Sequence, residues 1–252
     1  MLRVVEREAR VYRRLWRGSV FSTFLIPALF LLAIGRGLGG LVDQRNQLVE
    51  GLSYLQFVTP GLLAANMMQA SAPGSLWPVM AGTKWVRFFH GAVATPVSPG
   101  DVYGGYVVWI TARMAVAAVA FVAVAALIGG VPSLWGVLAV PAATLTAMAF
   151  IAPLTAFAAT QTTDISFGVL MRLIITPLFL FSGTFFPVSQ LPGWLQPMAR
   201  FSPLWHGVEL CRAAMTGSAD WLAVVAHVVV LGAIVAAGWL WGTRTFARKL
   251  AS

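Results

Sequence analysis

Tyr103–Ile128 reads YGGYVVWITARMAVAAVAFVAVAALI, and a single charge, Arg113, interrupts it. A bilayer hydrocarbon core about 30 Å thick takes roughly 20 apolar residues in a helix, so this stretch is long enough to cross one. On either side lie five further runs of the same character, Val20–Leu38, Phe57–Trp77, Leu134–Ala158, Gly168–Phe186 and Trp221–Trp241. Of the 252 residues 59% are hydrophobic and 10% charged, against about 25% charged in an ordinary soluble domain. The expectation is an all-α membrane protein, a single transmembrane domain over 1–252 with helices at 20–38, 57–77, 103–128, 134–158, 168–186 and 221–241.

The net charge of +9 would suggest nucleic acid as a partner in a soluble protein; here it reports orientation, with no nucleic acid expected. Arg3, Arg7, Arg10, Arg13, Arg14, Arg17, Lys84, Arg87, Arg172, Arg244, Arg248 and Lys249 fall on one side of the six runs, and Arg36, Arg45, Arg200 and Arg212 on the other. Basic residues concentrate in cytoplasmic segments, so both termini are expected inside a multi-pass cell membrane protein. The first run is read as a retained helix rather than a cleaved leader, because it exceeds a leader core in length and Gly35-Arg36-Gly37 is a poor cleavage site. Pro27 is expected to kink it.

Ahead of that run, Leu2, Val5, Ala9, Tyr12 and Trp16 recur at three and four residue steps, with Arg3, Arg7, Arg10, Arg14 and Arg17 on the neighbouring stripe. This pattern predicts an interfacial amphipathic helix over 1–18, in which Tyr12, Arg13, Arg14, Trp16 and Arg17 meet the headgroups or a docked partner. A second basic and aromatic segment, Lys84-Trp85-Val86-Arg87-Phe88-Phe89-His90, lies in the longest cytoplasmic connection. Trp85 with Phe88 or Phe89 offers an aromatic anchor to a cytoplasmic protein; a helix resting on lipid explains the composition equally well. Gln161 and Asp164 mark a second, shorter inner loop.

Beyond the fifth run Pro187, Pro192, Pro197 and Pro203 break the chain, which predicts short re-entrant or outer helices between spans five and six. Ser202-Pro203 has the form of an N-cap followed by proline at the first helical position, and Gly217 the form of a C-terminal stop. His206, Glu209 and Arg212 stand three residues apart on the helix so bounded. They are read first as a structural ion pair at the membrane surface and second as a transport gate. Arg113, about ten residues into the third run, falls near the bilayer middle at 1.5 Å per residue. An ionisable group there is a functional candidate, with Asn66 or Gln69 as possible partners, while Arg172 is near enough to the inner surface to snorkel.

Cys211 is the only cysteine, and His90, His206 and His227 lack ligand spacing, so neither a disulfide nor a metal centre is expected. No phosphate-binding loop ending in Gly-Lys-Ser or Gly-Lys-Thr occurs; Gly82-Thr83-Lys84 has neither the order nor the spacing. No catalytic residue and no directly bound cofactor is assigned.

Phe181-Ser182-Gly183-Thr184-Phe185-Phe186-Pro187, then Leu191-Pro192-Gly193-Trp194-Leu195, then Pro203-Leu204-Trp205-His206 with Glu209 and Arg212, resemble the carboxy-terminal signature of ABC type-2 exporter permeases. That family includes drug-resistance, polysaccharide and nodulation-factor export systems. Tyr54–Leu62 and Ala94–Ser98 look like further family features, and the likeness covers nearly the whole chain. It implies a permease working with a second, identical or related permease and two copies of a cytoplasmic ABC ATPase, which would hold the ATP and Mg. Lys84 to His90 would be the coupling segment and Pro187 to Arg212 the outer gate. The expected function is efflux of a drug or lipid-like amphipathic molecule, as in antibiotic resistance. Two other classes compete. An ion-coupled carrier predicts acids within the spans, whereas the acids here lie near span ends or in loops; a membrane enzyme acting on lipid-linked sugar would rest on His206 and Glu209 alone.

Overall fold

The computed structural model describes residues 1–38, 49, 51–218 and 220–251, with side chains except at 15–28, 34–36 and 38. No strand occurs among the described residues. Helix α1 spans Leu2–Phe30 and continues as a wider π-type turn over Leu31–Leu38. Next come α2, Tyr54–Met80, with a π-type end at Ala81–Trp85, then α3, Phe88–Val93, and α4, Pro99–Leu127. Helix α5, Ala139–Thr160, follows a 3-10 turn at Leu134–Leu138, and α6 occupies Ile165–Phe181. The chain ends with α7, Leu195–Phe201, α8, Pro203–Thr216, and α9, Trp221–Leu250.

Side-chain caps set most of these starts. Ser53 and Gln56 form a reciprocal capping box at α2, and Ser98 with Asp101 does the same at α4, where Pro99 takes the first turn. Ser202 accepts from the Leu204 amide at α8, and Gly217, at φ +73°, closes that helix in the left-handed conformation, as the local residue chemistry predicts.

Three helical stretches are long and apolar enough to cross a membrane, Pro99–Leu127, Leu134–Thr160 and Trp221–Leu250. They match the expected third, fourth and sixth spans, although α9 continues well past Trp241 to Leu250. Residues 57–77, expected as the second span, lie within a longer helix that carries Asn66, Gln69 and three internal prolines, Pro60, Pro73 and Pro78. The fifth differs at both ends: the helix is Ile165–Phe181, and residues 182–186, assigned to it from their apolarity, leave the axis, with Gly183 at φ +78°.

A larger difference concerns the amino terminus. No break separates 1–18 from 20–38, for α1 is one helix through both. Nor does its first part lie across the bundle end. The Met1 amino group meets Asp101 at 3.0 Å, the Val4 side chain packs on Gly105, and Tyr12 meets Trp109 edge-on at 5.7 Å and Arg113. The two helices advance together, so α1 climbs α4 lengthwise. Small residues on α4 allow the close approach, a packing device suited to lipid, where apolar burial gives helices no special attraction. Arg13 and Arg14 are exposed on this helix; Trp16 and Arg17 lie outside the described side chains.

Helix α2 occupies the centre, packed on α4, α5 and α8, while α9 packs on α5 and α4. The Tyr103 hydroxyl joins three helices by sharing its proton between the Ala152 carbonyl, at 3.1 Å, and the Gly238 carbonyl, at 3.0 Å.

Candidate functional site

The functional candidates gather at the two ends of α2. At its carboxy-terminal end the π-type turn brings the amides of Val86 and Arg87 onto the Ala81 carbonyl, and Arg87 takes φ 57°, ψ 27°. A side chain in that left-handed region costs roughly 1–2 kcal/mol, and it is the only such non-glycine residue among those described. The reversal partitions the aromatic segment. Phe89 is 1% exposed and wedged between Phe88, Tyr106 and Phe246, with ring centroids 4.5, 5.7 and 5.8 Å away. Gly82 makes room for it: a Cβ there would lie 2.5 Å from the Phe89 ring. Phe88 is half-buried, with the Arg7 guanidinium 4.1 Å above its ring.

Trp85 and Val86 face outward, at 55% and 71% exposed. Of the expected aromatic anchors, then, Trp85 is presented, Phe88 is partly engaged and Phe89 is consumed by the core. Val86 escapes attention in the sequence because an isolated valine among aromatics carries no signal. Lys84 donates to the Thr162 carbonyl, which ties this segment to the connection between α5 and α6. His90 is half-buried, its Nδ1 lacking a hydrogen-bond partner among the described residues.

At the amino-terminal end of α2, Arg212 reaches across from α8. Its side chain is 12% exposed. Nη1 donates to Glu209 at 2.6 Å, Nη2 donates to the Gly183 carbonyl at 3.0 Å, and the guanidinium carbon sits 4.4 Å over the Phe57 ring. The planar fork thus clasps a carboxylate, a loop carbonyl and an aromatic face at once, a combination lysine cannot reproduce. The loop it holds, residues 182–187, is fixed twice more: Ser182 and Ser202 hydroxyls are 2.9 Å apart and buried, and Thr184 lies directly on α2. A Cβ on Gly61 would stand 2.6 Å from the Thr184 carbonyl oxygen. Gly61→Ala is therefore expected to cost about 1–3 kcal/mol through overpacking, read as a lower melting temperature of the purified protein. Gly74→Ala on the same helix, where a Cβ meets open space, is expected to be neutral or stabilising. Pro187 is buried at the end of this loop.

His206 does not join the Glu209–Arg212 pair. Its Nδ1 is 2.7 Å from Nδ1 of His227 on α9, and Trp205 packs edge-on against both rings at 4.9 and 5.0 Å. One imidazole must donate and the other accept. Burial, and then the neighbouring His227, hold His206 below the ordinary histidine range. No group of three metal-ligating side chains occurs among the described residues.

Arg113 is half-buried and meets the Tyr12 ring at 4.9 Å. Neither Asn66 nor Gln69 is hydrogen-bonded to it; both stand half-buried on α2.

A family model for the ABC-2 type transporter matches residues 2–216, from the start of α1 to the end of α8. The chain belongs to the ABC-2 type transporter family. It is a membrane subunit of an ABC transporter. Similar relatives include nodulation protein J of Rhizobium meliloti (strain 1021), 29% identical over 215 residues, covering 85% of this chain and 80% of the relative. Nodulation protein J of Rhizobium leguminosarum bv. viciae is 28% identical over 249 residues, 99% of this chain and 94% of the relative. The inner membrane transport permease YadH of Escherichia coli (strain K12) is 22% identical over 231 residues, 91% and 88% of the two chains. Both ends of α2, the Arg212 clasp and the Trp85–Val86 turn, lie inside the ABC-2 match; His227 lies beyond it.

Proposed function

We propose that this chain is the six-span permease subunit of an ATP-driven exporter, paired with a second permease, identical or related, and docked to two cytoplasmic ABC ATPases through Trp85 and Val86. The observation that carries this reading is the exposed Trp85–Val86 pair, held out by the Arg87 turn at the end of a helix mostly buried in the bundle. Both termini and the Lys84–His90 segment face the cytoplasm; residues 182–217 face outward. ATP and Mg belong to the partner, which hydrolyses the nucleotide.

Helix α2 with its π-type end runs from Tyr54 to Trp85, about 48 Å at 1.5 Å per residue. Its inner end holds the docking turn, and its outer end holds Phe57 beneath Arg212. Closure of the ATPases would press on Trp85 and Val86, and the wedged Phe89 would pass the displacement to α4 and α9. Tilting of α2 would then slide Phe57 and Gly61 under the loop at 182–187 and loosen it for release, a rigid-helix shift of the kind that switching proteins use. The cargo is an amphipathic, lipid-like molecule, for which apolar and aromatic side chains form the path.

Affinity purification of the tagged chain from its native membrane tests this. An ABC ATPase should be retained, and adding the permease should raise vesicular ATPase activity in the presence of cargo. Purification of the folded permease without any such ATPase, under conditions that keep permease pairs intact, would refute the assignment.

A further inference from the structure

A groove of about 430 Å³ opens at the outer end of the bundle between the start of α5, the second half of α8 and the first two turns of α9. Leu145, Leu210, Ala214 and Val228 form its walls, and Trp135 and Trp221 stand at its mouth. Both tryptophans are exposed, at 65% and 72%. Trp135 stands two residues after the side-chain cap Ser133, and Trp221 directly after the cap Asp220, so two membrane helices begin at the level the tryptophans mark. Tryptophan favours that level because its ring is apolar and its N–H is polar.

What fills such a groove follows from its surroundings. No charged side chain lines it, so water finds too few of the two to four polar partners it needs. Left empty, the wall would lose dispersion contacts that a close-packed interior normally makes. Helices α5 and α9 are both of membrane-crossing length and apolarity, and the medium against them is hydrocarbon. We infer that the groove holds one acyl chain of an outer-leaflet phospholipid, with the headgroup at the Trp135–Trp221 rim.

Lipid tails are as apolar as the wall, so the chain gains no hydrophobic free energy by entering. Contact with a concave surface retains it, and retention therefore depends on shape. Because α8 carries Arg212, the bound chain braces the outer clasp against α5 and α9. The inference rests on the proposed orientation only for the leaflet that supplies the lipid.

Reconstitution of the full chain in vesicles containing a phospholipid with a photoreactive group at the end of one acyl chain tests it. Label is expected on α8 and on the first turns of α9. It should be lost in Ala214→Phe and also in Val228→Trp, chosen because Val228 is 43% exposed and tolerates a larger side chain. Label at the lipid-facing Val116 of α4 should persist in both. Undiminished groove label in the two variants, or a disulfide between Trp221→Cys copies with no groove label, would overturn the inference, the latter by showing a second permease over the groove. An impermeant thiol reagent applied to Trp221→Cys in intact cells and in inside-out vesicles reads orientation separately. Reaction only from the inner side, with groove label intact, would overturn the leaflet and the proposed topology while leaving the acyl-chain site standing.

Discussion

Trp85→Ala combined with Val86→Asp is expected to strip the ATPase from the permease while membrane abundance and melting temperature stay near those of the parent. Trp85 and Val86 are the two large apolar side chains that the turn ending α2 exposes, at 55% and 71%. Removing a solvent-exposed side chain opens no cavity and costs the isolated fold little. At an interface the same tryptophan is a central anchor, worth about 2 kcal/mol or more, or roughly a thirtyfold weakening. The aspartate adds a desolvation penalty in any apolar pocket on the partner.

Phe89→Ala should behave oppositely. It empties a site bounded by Phe88, Tyr106, Phe246 and Gly82, for which about 3–5 kcal/mol is usual. Abundance and melting temperature should fall first, with loss of ATPase binding as a consequence. The comparison is read by co-purification against a tagged ATPase, normalised to folded permease from fluorescence-detected size exclusion. Retention of the ATPase by the Trp85/Val86 variant would show that docking occurs elsewhere.

Sequence alone separates these roles poorly, and the reason is local geometry. Lys84 to His90 reads as one basic and aromatic helix, but the left-handed Arg87 reverses the chain in its middle, and no residue-type preference announces arginine there. Where backbone chemistry is local, the sequence suffices: Ser202-Pro203 starts α8 and Gly217 ends it through contacts within a few residues. The Glu209–Arg212 pair is legible for the same reason, since residues three apart share a helix face. His206 with His227, and Arg212 over Phe57, are not legible, because both depend on how separate helices cross. Apolarity also misplaces the end of the fifth span. Residues 182–186 carry no charge and end in two phenylalanines, yet the Arg212 clasp and the Ser182–Ser202 contact draw them away from its axis. The amino-terminal stripe likewise suits either a membrane surface or another helix, and the Gly104-Gly105 pair on α4 decides for the helix.

Arg212→Lys is expected to abolish most transport while preserving ATPase association. The guanidinium holds Glu209, the Gly183 carbonyl and the Phe57 face together, and a lysine ammonium, a point donor on a flexible stem, can keep Glu209 only by giving up the other two. Charge is conserved, so the loss isolates geometry. Glu209 is 32% exposed on its side chain, and water relieves part of the damage. The stability cost should therefore be about 1.5–3 kcal/mol, the range for a hydrogen bond to a charged group, rather than the larger penalty for stranding a fully buried charge. Arg212→Met with Glu209→Gln removes the pair and leaves no buried charge. It should recover much of the melting temperature without recovering transport, because the Gly183 carbonyl has still lost its donor on α8 and the Phe57 face its guanidinium. Transport measured in vesicles alongside ATPase co-purification distinguishes the outcomes. Should the double variant transport as well as the parent, the clasp would be a structural fixture and the outer gate would have to lie elsewhere. If ATPase binding fell in step with transport, the two ends of α2 could not be separate parts of one lever.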